Sequence, residues 1–299
     1  MIPRLPDPAD RRPPAALAPG RGEGGPGELE EARRRSAVTA LVVHEAVRLE
    51  GEEELRRPLE AVAFSGLAAG LSMGFSFIAE GLLNAYLPDT SWAPLVIKLG
   101  YPVGFLIVIL GRQQLFTETT VTVVLPLLTR RTVATLVRLL EFWGVVLGAN
   151  LLGTLLIATI LGVTNAYGPV VKVQFAQLGY AALSPDFGGT VVRAVFAGWI
   201  VATVVWLQPA AGPGGRVAVI VALTYLVGLA NLSHIIAGSV ETLFLVTTGR
   251  LDWLTWLGRF MVPTLLGNTL GGVAFVAALN HAQVVAGHRR RTPDDAAEP

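Results

Sequence analysis

His234 is the side chain with the clearest capacity for chemistry, because it is the only one of the four histidines that lies in the middle of a long apolar segment. A neutral imidazole donates one hydrogen bond and accepts another, and a protonated imidazole can pass its proton to a bound anion. Ionisable residues in apolar surroundings usually serve a function or are paired. His234 is therefore the first candidate site residue, and a histidine that is merely hydrogen-bonded within the fold is the alternative.

Thr117, Asn150 and Asn268 are the polar residues that an internal repeat associates with His234. At an offset of 118 residues, Asn150 aligns with Asn268 and Phe116 aligns with His234. The same offset aligns Phe142, Leu147 and Gly153 with Phe260, Leu265 and Gly271. Thr117 is either a helix-capping hydroxyl or a partner that fixes the imidazole tautomer. Each asparagine either faces the same site or bridges backbone groups that a helix break leaves free.

Glu118 and Glu241 are acids beside the two segments that contain Thr117 and His234. They form either a proton relay or ion pairs, with Arg112 or with basic groups from another part of the fold. A passage lined by these two carboxylates would repel anions. A cationic or neutral substrate is therefore an alternative.

The composition is that of a membrane protein. Hydrophobic residues make up 52% of the 299, charged residues only 15%, and the mean hydropathy is +0.56, whereas soluble domains carry about 25% charged residues. The absence of cysteine excludes disulfides, thiolate metal sites and thiol nucleophiles. A net charge of +1 gives no indication of a nucleic-acid partner. Neither an enzyme motif of the HExxH, GxSxG or phosphate-loop kind nor a cofactor motif is present.

The chain divides by charge into two tails, one surface helix and one apolar domain. The predicted parts are a disordered cytoplasmic tail over 1–27, a cytoplasmic amphipathic helix over 28–60, a transmembrane domain over 61–287 and a cytoplasmic C-terminal tail over 288–299. Arginines at 130–131, 216 and 289–291 fall on the side of the N-terminal tail, which predicts that both termini are cytoplasmic.

Six membrane spans are predicted, and two of them are interrupted. The spans cover 61–86, 94–128, 132–163, 188–208, 216–248 and 255–285. Polar residues at 111–114 and 231–234 stand at membrane depth, where backbone can leave the helix only if it is buried in protein or lines a cavity. Because each half of the repeat has three spans, the two halves must face opposite ways. The fold class is thus an all-α membrane protein with six helices in a 3+3 inverted repeat and broken second and fifth helices.

Four segments in this order resemble the formate/nitrite transporter family over about 61–283. They are Leu115-Phe116-Thr117, then Trp143-Gly144 with Asn150, then Gly228 through His234 to Ala237, and finally Pro263 with 267–272. The resemblance implies an aquaporin-like protomer and a homopentamer in a bacterial-type inner membrane. It also implies that His234 is the central pore histidine, Thr117 its partner and Asn268 a polar residue near the pore. Apolar constrictions are implied at Tyr101, Phe105, Leu115, Val227 and Val205.

The function that this resemblance implies is a channel or transporter for small monovalent anions of weak acids, such as formate or nitrite, without a cofactor. Three departures indicate a divergent branch: Asp186 stands nearest to a usual lysine, Gly238 replaces a common asparagine, and Tyr101 replaces a more usual phenylalanine. The alternatives are a membrane interaction or sensor protein on a transporter fold and a pore for a neutral or cationic solute.

Overall fold

The computed structural model describes residues 38–289, with side chains through residue 287. The predicted tail over 1–27, the first part of the predicted amphipathic helix and almost all of the C-terminal tail lie outside the described residues. Every regular element within the described residues is helical.

Eight described helices precede the fourth span, and the first of them lies before the first span. They are α1 (Ala40–Arg56), α2 (Leu59–Tyr86), α3 (Ala93–Ile97), α4 (Pro102–Leu110), α5 (Phe116–Thr122), α6 (Val124–Arg130), α7 (Val133–Val163) and α8 (Pro169–Ala182). The later ones are α9 (Phe187–Leu207), α10 (Pro213–Leu229), α11 (Ala237–Thr247), α12 (Trp253–Trp256), α13 (Val262–Leu270) and α14 (Leu279–Arg289). A 3₁₀ turn joins α3 to α4, and another follows α9. Two π-helical segments join α12 to α13 and α13 to α14.

The architecture agrees with the predicted spans. In the described part of the chain, five helical stretches are long and apolar enough to cross a membrane: Leu59–Tyr86, Ala93–Leu110, Val133–Val163, Phe187–Ala210 and Trp253–Gly287. The shorter apolar helices α10 and α11 together occupy the predicted fifth span. The predicted interruptions are confirmed, since no helix covers the first break (residues 111–115) or the second break (residues 230–236).

Both breaks begin with the same backbone turn. Arg112 and Asn231 have φ angles of 50° and 47°, the left-handed conformation that terminates a helix. The helices that follow the breaks end alike, with φ angles of 51° at Arg131 and 71° at Gly249. The two turns thus recur close to the offset of the sequence repeat, as a 3+3 repeat requires.

The connection between the predicted third and fourth spans, residues 164–187, contains a helix that the span prediction did not include. This helix is α8, which begins with Pro169 and buries Phe175 completely. The Phe175 ring stacks on Phe77 at a centroid distance of 4.6 Å and meets Phe244 edge-on at 5.6 Å. Hydropathy alone does not reveal α8, because a helix of 14 residues is too short to span a bilayer.

Glycines allow the close helix crossings that support the two breaks. A Cβ at Gly70 on α2 would collide with the Asn150 carbonyl on α7, and a Cβ at Gly198 on α9 would collide with the Asn268 carbonyl on α13. By contrast, a Cβ at Gly148 on α7 would meet no atom within 4 Å.

We therefore predict that Gly70→Ala and Gly198→Ala each lower the unfolding temperature of the purified protein. Overpacking against backbone is expected to reduce the unfolding free energy by about 1–3 kcal/mol. Gly148→Ala is the matched control, and it should leave the unfolding temperature equal or slightly higher, since alanine favours helix over glycine. Equal unfolding temperatures for all three variants would contradict this assignment of the crossings.

Helix α1 packs against the helices that follow the first break. A Cβ at Gly51 would collide with the carbonyl of Thr122, and Val47 is completely buried. The His44 Nε2 lies 3.0 Å from the His281 Nδ1 of α14, and the edge of Trp206 faces His44. Burial lowers the pKa of His44 below its ordinary value, with His281 as the second cause.

Candidate functional site

The structure brings His234 and Thr117 together. The Nε2 of His234 lies 2.8 Å from the hydroxyl oxygen of Thr117, across 117 residues of sequence, and both side chains are almost completely buried. Thr117 stands in the first turn of α5 and His234 near the end of the second break, so the contact joins the two interrupted spans. Phe105 meets the imidazole edge-on at a centroid distance of 5.0 Å.

Backbone amides determine the tautomer of His234. Its Nδ1 accepts hydrogen bonds from the backbone N–H groups of Ala237, at 3.1 Å, and Ile236, at 3.3 Å, where α11 begins. The neutral ring therefore carries its hydrogen on Nε2 and donates it to the Thr117 oxygen. Thr117 therefore contacts the imidazole, as one of the two alternatives from the sequence had it, but the backbone amides at the start of α11 fix the tautomer.

Asn150 and Asn268 hold the two breaks by the same set of contacts. The Oδ1 of Asn150 accepts from the Phe116 N–H at 2.9 Å, and its Nδ2 donates to the carbonyls of Gln114 and Gly66, both at 2.8 Å. The Oδ1 of Asn268 accepts from the Ile235 N–H at 2.8 Å, and its Nδ2 donates to the carbonyls of Ser233 and Ala194, both at 2.8 Å.

Asn268 thus bridges backbone groups of the second break and of α9, which is the second of the two roles that the sequence allowed for it. Both of its amide hydrogens are engaged by carbonyl oxygens and the side chain is completely buried. No donor of Asn268 is left to face a passing solute, because a primary amide has only two hydrogens.

The five predicted constriction residues are all buried, at 8% exposure or less. Tyr101 and Val227 line one cavity together with His234, and the Tyr101 ring lies 5.4 Å from that of Phe105. Leu115 immediately precedes α5, and Val205 lies on α9; neither lines this cavity. Three of the five are therefore grouped around the imidazole.

The cavity above His234 has a volume of about 40 Å³, and Asn231 and Ala181 at its rim are exposed. Lys98 and Glu241 also line it. The Nζ of Lys98 lies 2.7 Å from the Oε2 of Glu80, which is 1% exposed. Sequence reasoning did not select Lys98, although one cation close to the end of an apolar span is a signal that could have found it.

Glu118 lies in the first turn of α5, and Glu241 lies in the second turn of α11. Among the side chains of residues 38–287, no lysine or arginine nitrogen lies within 4.0 Å of either carboxylate, and Arg112 pairs with Glu50 at 3.7 Å. Burial raises the pKa of Glu50, and Arg112 opposes that rise.

Two of the departures seen in the sequence have a local structural basis. The Asp186 carboxylate caps α9, since its Oδ1 accepts from the Gly189 N–H at 2.7 Å. At Gly238 a Cβ would collide with the ring of Phe260, so an asparagine there would require that ring to move.

Two interrupted helices that meet at a buried polar side chain inside an apolar bundle are typical of membrane channels and transporters. The chain matches the formate/nitrite transporter family over residues 41–282, and it belongs to that family. It is 40% identical over 257 residues to the inner membrane protein YfdC of Escherichia coli (strain K12), covering 86% of this chain and 82% of that protein. It is 25% identical over 234 residues to the formate channel BtFdhC of Bacillus thuringiensis, covering 76% of this chain and 88% of that protein.

Solved structures show the same fold. A pentameric formate channel with formate bound superposes with a TM-score of 0.65 at 18% identity, covering 76% of this chain and 98% of that one. An FNT family ion channel superposes with a TM-score of 0.64 at 18% identity, covering 85% of this chain and 97% of that one.

Proposed function

We propose that this protein conducts small monovalent anions of weak acids, with formate and nitrite as representatives, past the His234–Thr117 pair. The observation that carries the proposal is that pair itself, which joins the two interrupted helices and whose His234 lines a cavity. The family membership and the formate channels among its relatives support the same class of substrate.

A bare anion in an apolar surrounding loses several kcal/mol of hydration, so the passage must offer donors or neutralise the charge. The Nε2–H of His234 supplies a donor, and the hydroxyl of Thr117 can turn its own hydrogen toward a solute. Two backbone N–H groups point at Nδ1, where a second ring proton would have to sit. These contacts favour a neutral imidazole that donates a hydrogen bond over one that hands a proton to the substrate.

The proposed assembly is a homopentamer in the inner membrane, with both termini in the cytoplasm. A pentameric channel is among the structures that share the fold, and an inner membrane protein is among the relatives. The placement of arginines at one end of the spans supports the orientation.

The experiment that tests the proposal is solute flux into proteoliposomes of the full chain. We expect flux of formate, nitrite, acetate and hydrosulfide well above that of protein-free vesicles, and more flux at the lower of two pH values. A cation, methylammonium, and a neutral solute, urea, serve as comparisons because Glu118 and Glu241 lack basic partners within the described residues. Faster flux of either comparison solute than of every anion would overturn the proposal.

A further inference from the structure

Two ionisable side chains line the cavity next to His234, and a third binds one of them from a different helix. Glu80 comes from α2, Lys98 from the turn that precedes α4, and Glu241 from α11. Lys98 and Glu241 line the cavity itself, and Lys98 is bound to Glu80 at 2.7 Å. Glu241 is half-buried, and Glu80 and Lys98 are the two charged groups that act on it.

The charges of this cluster do not balance. Lys98 already has Glu80 as its partner, so Glu241 faces a neutral ion pair rather than a free cation. A second carboxylate in the same desolvated space would leave an uncompensated negative charge, which is strongly unfavourable away from water. A proton on one carboxylate removes that charge, and Glu241 is the carboxylate that is open to the cavity.

His234 is poorly suited to provide a proton at this place. In the neutral ring, Nε2 carries the only nitrogen-bound hydrogen, and Nδ1 faces two backbone N–H groups at the start of α11. Releasing the Nε2 hydrogen from the neutral ring would leave an imidazolate, and a second proton on Nδ1 would oppose the amide hydrogens and the positive end of the helix. Any proton that accompanies a weak acid through the pore therefore needs another source.

We propose that Glu241 is a proton-binding site in the cavity, which protonates an entering weak-acid anion before it passes Tyr101 and Phe105. In this step the O–H bond of the Glu241 carboxylic acid breaks and an O–H bond to an oxygen of formate forms, leaving the Glu241 carboxylate and neutral formic acid. A hydronium ion from the water at the open side of the cavity then restores the carboxylic acid. This inference rests on the proposed function, because it names the source of the proton for the same substrates.

The surroundings of Glu241 leave few other candidates for this role. Among the described residues, Tyr101 and His234 are the remaining titratable groups on the cavity wall. Helix α8 touches Glu241 through Gly179, which lies against the Glu241 carbonyl, and the α8 residues on the cavity wall are apolar. On the sixth span, Phe260 faces the cavity, while the guanidinium of Arg259 donates to the Leu183 carbonyl at 3.2 Å.

Infrared titration of the full chain in lipid nanodiscs tests the site without requiring transport. A protonated carboxyl group has its own C=O stretching band, and we expect one such band to be lost in Glu241→Gln. Glu80→Gln frees Lys98 to stabilise the Glu241 carboxylate, so the midpoint of this band should move to lower pH by about one unit. Lys98→Gln should move it to higher pH, and the double variant should lie between the two, which preserves the comparison if Lys98→Gln alone does not fold.

Glu118→Gln is the matched control, since it removes the carboxylate beside the other break and should leave the midpoint of the Glu241 band unchanged. Formate uptake then separates this inference from the proposed function. We expect uptake by Glu241→Gln to fall about tenfold near neutral pH and to lose most of its dependence on pH. An unchanged band in Glu241→Gln, shifts of the same sign in Glu80→Gln and Lys98→Gln, or an unchanged pH profile of uptake would each overturn the inference. A normal band titration together with no flux of any weak acid would overturn the proposed function instead.

Discussion

Replacing His234 with phenylalanine is expected to reduce anion flux on the order of 100-fold. The phenyl ring has nearly the shape of the imidazole but removes the donor at Nε2, which points at Thr117 in the most buried part of the site. A buried acceptor left without its hydrogen-bond donor is unfavourable by about 1–3 kcal/mol, and the upper end of this range corresponds to a loss of this size. Initial rates of labelled formate uptake into proteoliposomes measure the effect.

Two further substitutions separate the donor at Nε2 from the acceptor at Nδ1. In His234→Asn the side-chain oxygen can still accept from the Ile236 and Ala237 amides, but it leaves no group at the Nε2 position. In His234→Gln the longer side chain can return an N–H group to that position. We therefore expect the asparagine variant to unfold like the wild type and to conduct as poorly as the phenylalanine variant, and the glutamine variant to conduct better than both. Equal flux in the asparagine variant and the wild type would contradict a donor role for His234.

Sequence reasoning could select His234 because it is polar in a segment that must be buried, and Thr117 because the repeat and the family resemblance associate it with His234. It could not assign the hydrogen positions of the pair, because those depend on backbone amides that converge only when α11 begins beside the ring. Lys98 was missed for a related reason, since its importance comes from its distance to Glu80 on another helix. Contacts between distant segments carry this information, and local composition does not.

The two helix breaks were predictable, because a cluster of polar residues at membrane depth is tolerated mainly where the backbone leaves the helix inside the protein. Helix α8 was not, because it is too short to span a bilayer and stands between two regions that were already assigned as spans. The repeat also left the meaning of its polar members open. The two asparagines proved equivalent in the kinds of contact that they make. Their contacts pair Phe116 with Ile235, however, so the structural counterpart of His234 is Leu115, and the sequence alignment of Phe116 with His234 was shifted by one residue. The scaffold of the site is thus repeated, and its reactive side chain occurs in one half only.

The repeated scaffold leads to the second large expected effect, which is a loss of stability when either asparagine is shortened. Asn150→Ala removes the partners of one backbone N–H and two carbonyls, and Asn268→Ala does the same at the other break. Each buried group left without a partner is unfavourable by about 1–3 kcal/mol, so each variant should lose about 3 kcal/mol or more of unfolding free energy. Denaturation of the purified protein with increasing SDS measures the loss.

Asn280→Ala is the matched control for both variants. Asn280 lies on α14, is only partly buried, and donates a single local hydrogen bond of 2.9 Å to the Val276 carbonyl one turn earlier. Its removal should change the unfolding free energy by about 0.5 kcal/mol at most. Because Asn150 and Asn268 make equivalent contacts, their losses should agree within about 1 kcal/mol. A loss of stability in one variant and none in the other would mean that only one of the two breaks depends on its asparagine. The two halves would then share their contacts but not the contribution of those contacts to stability.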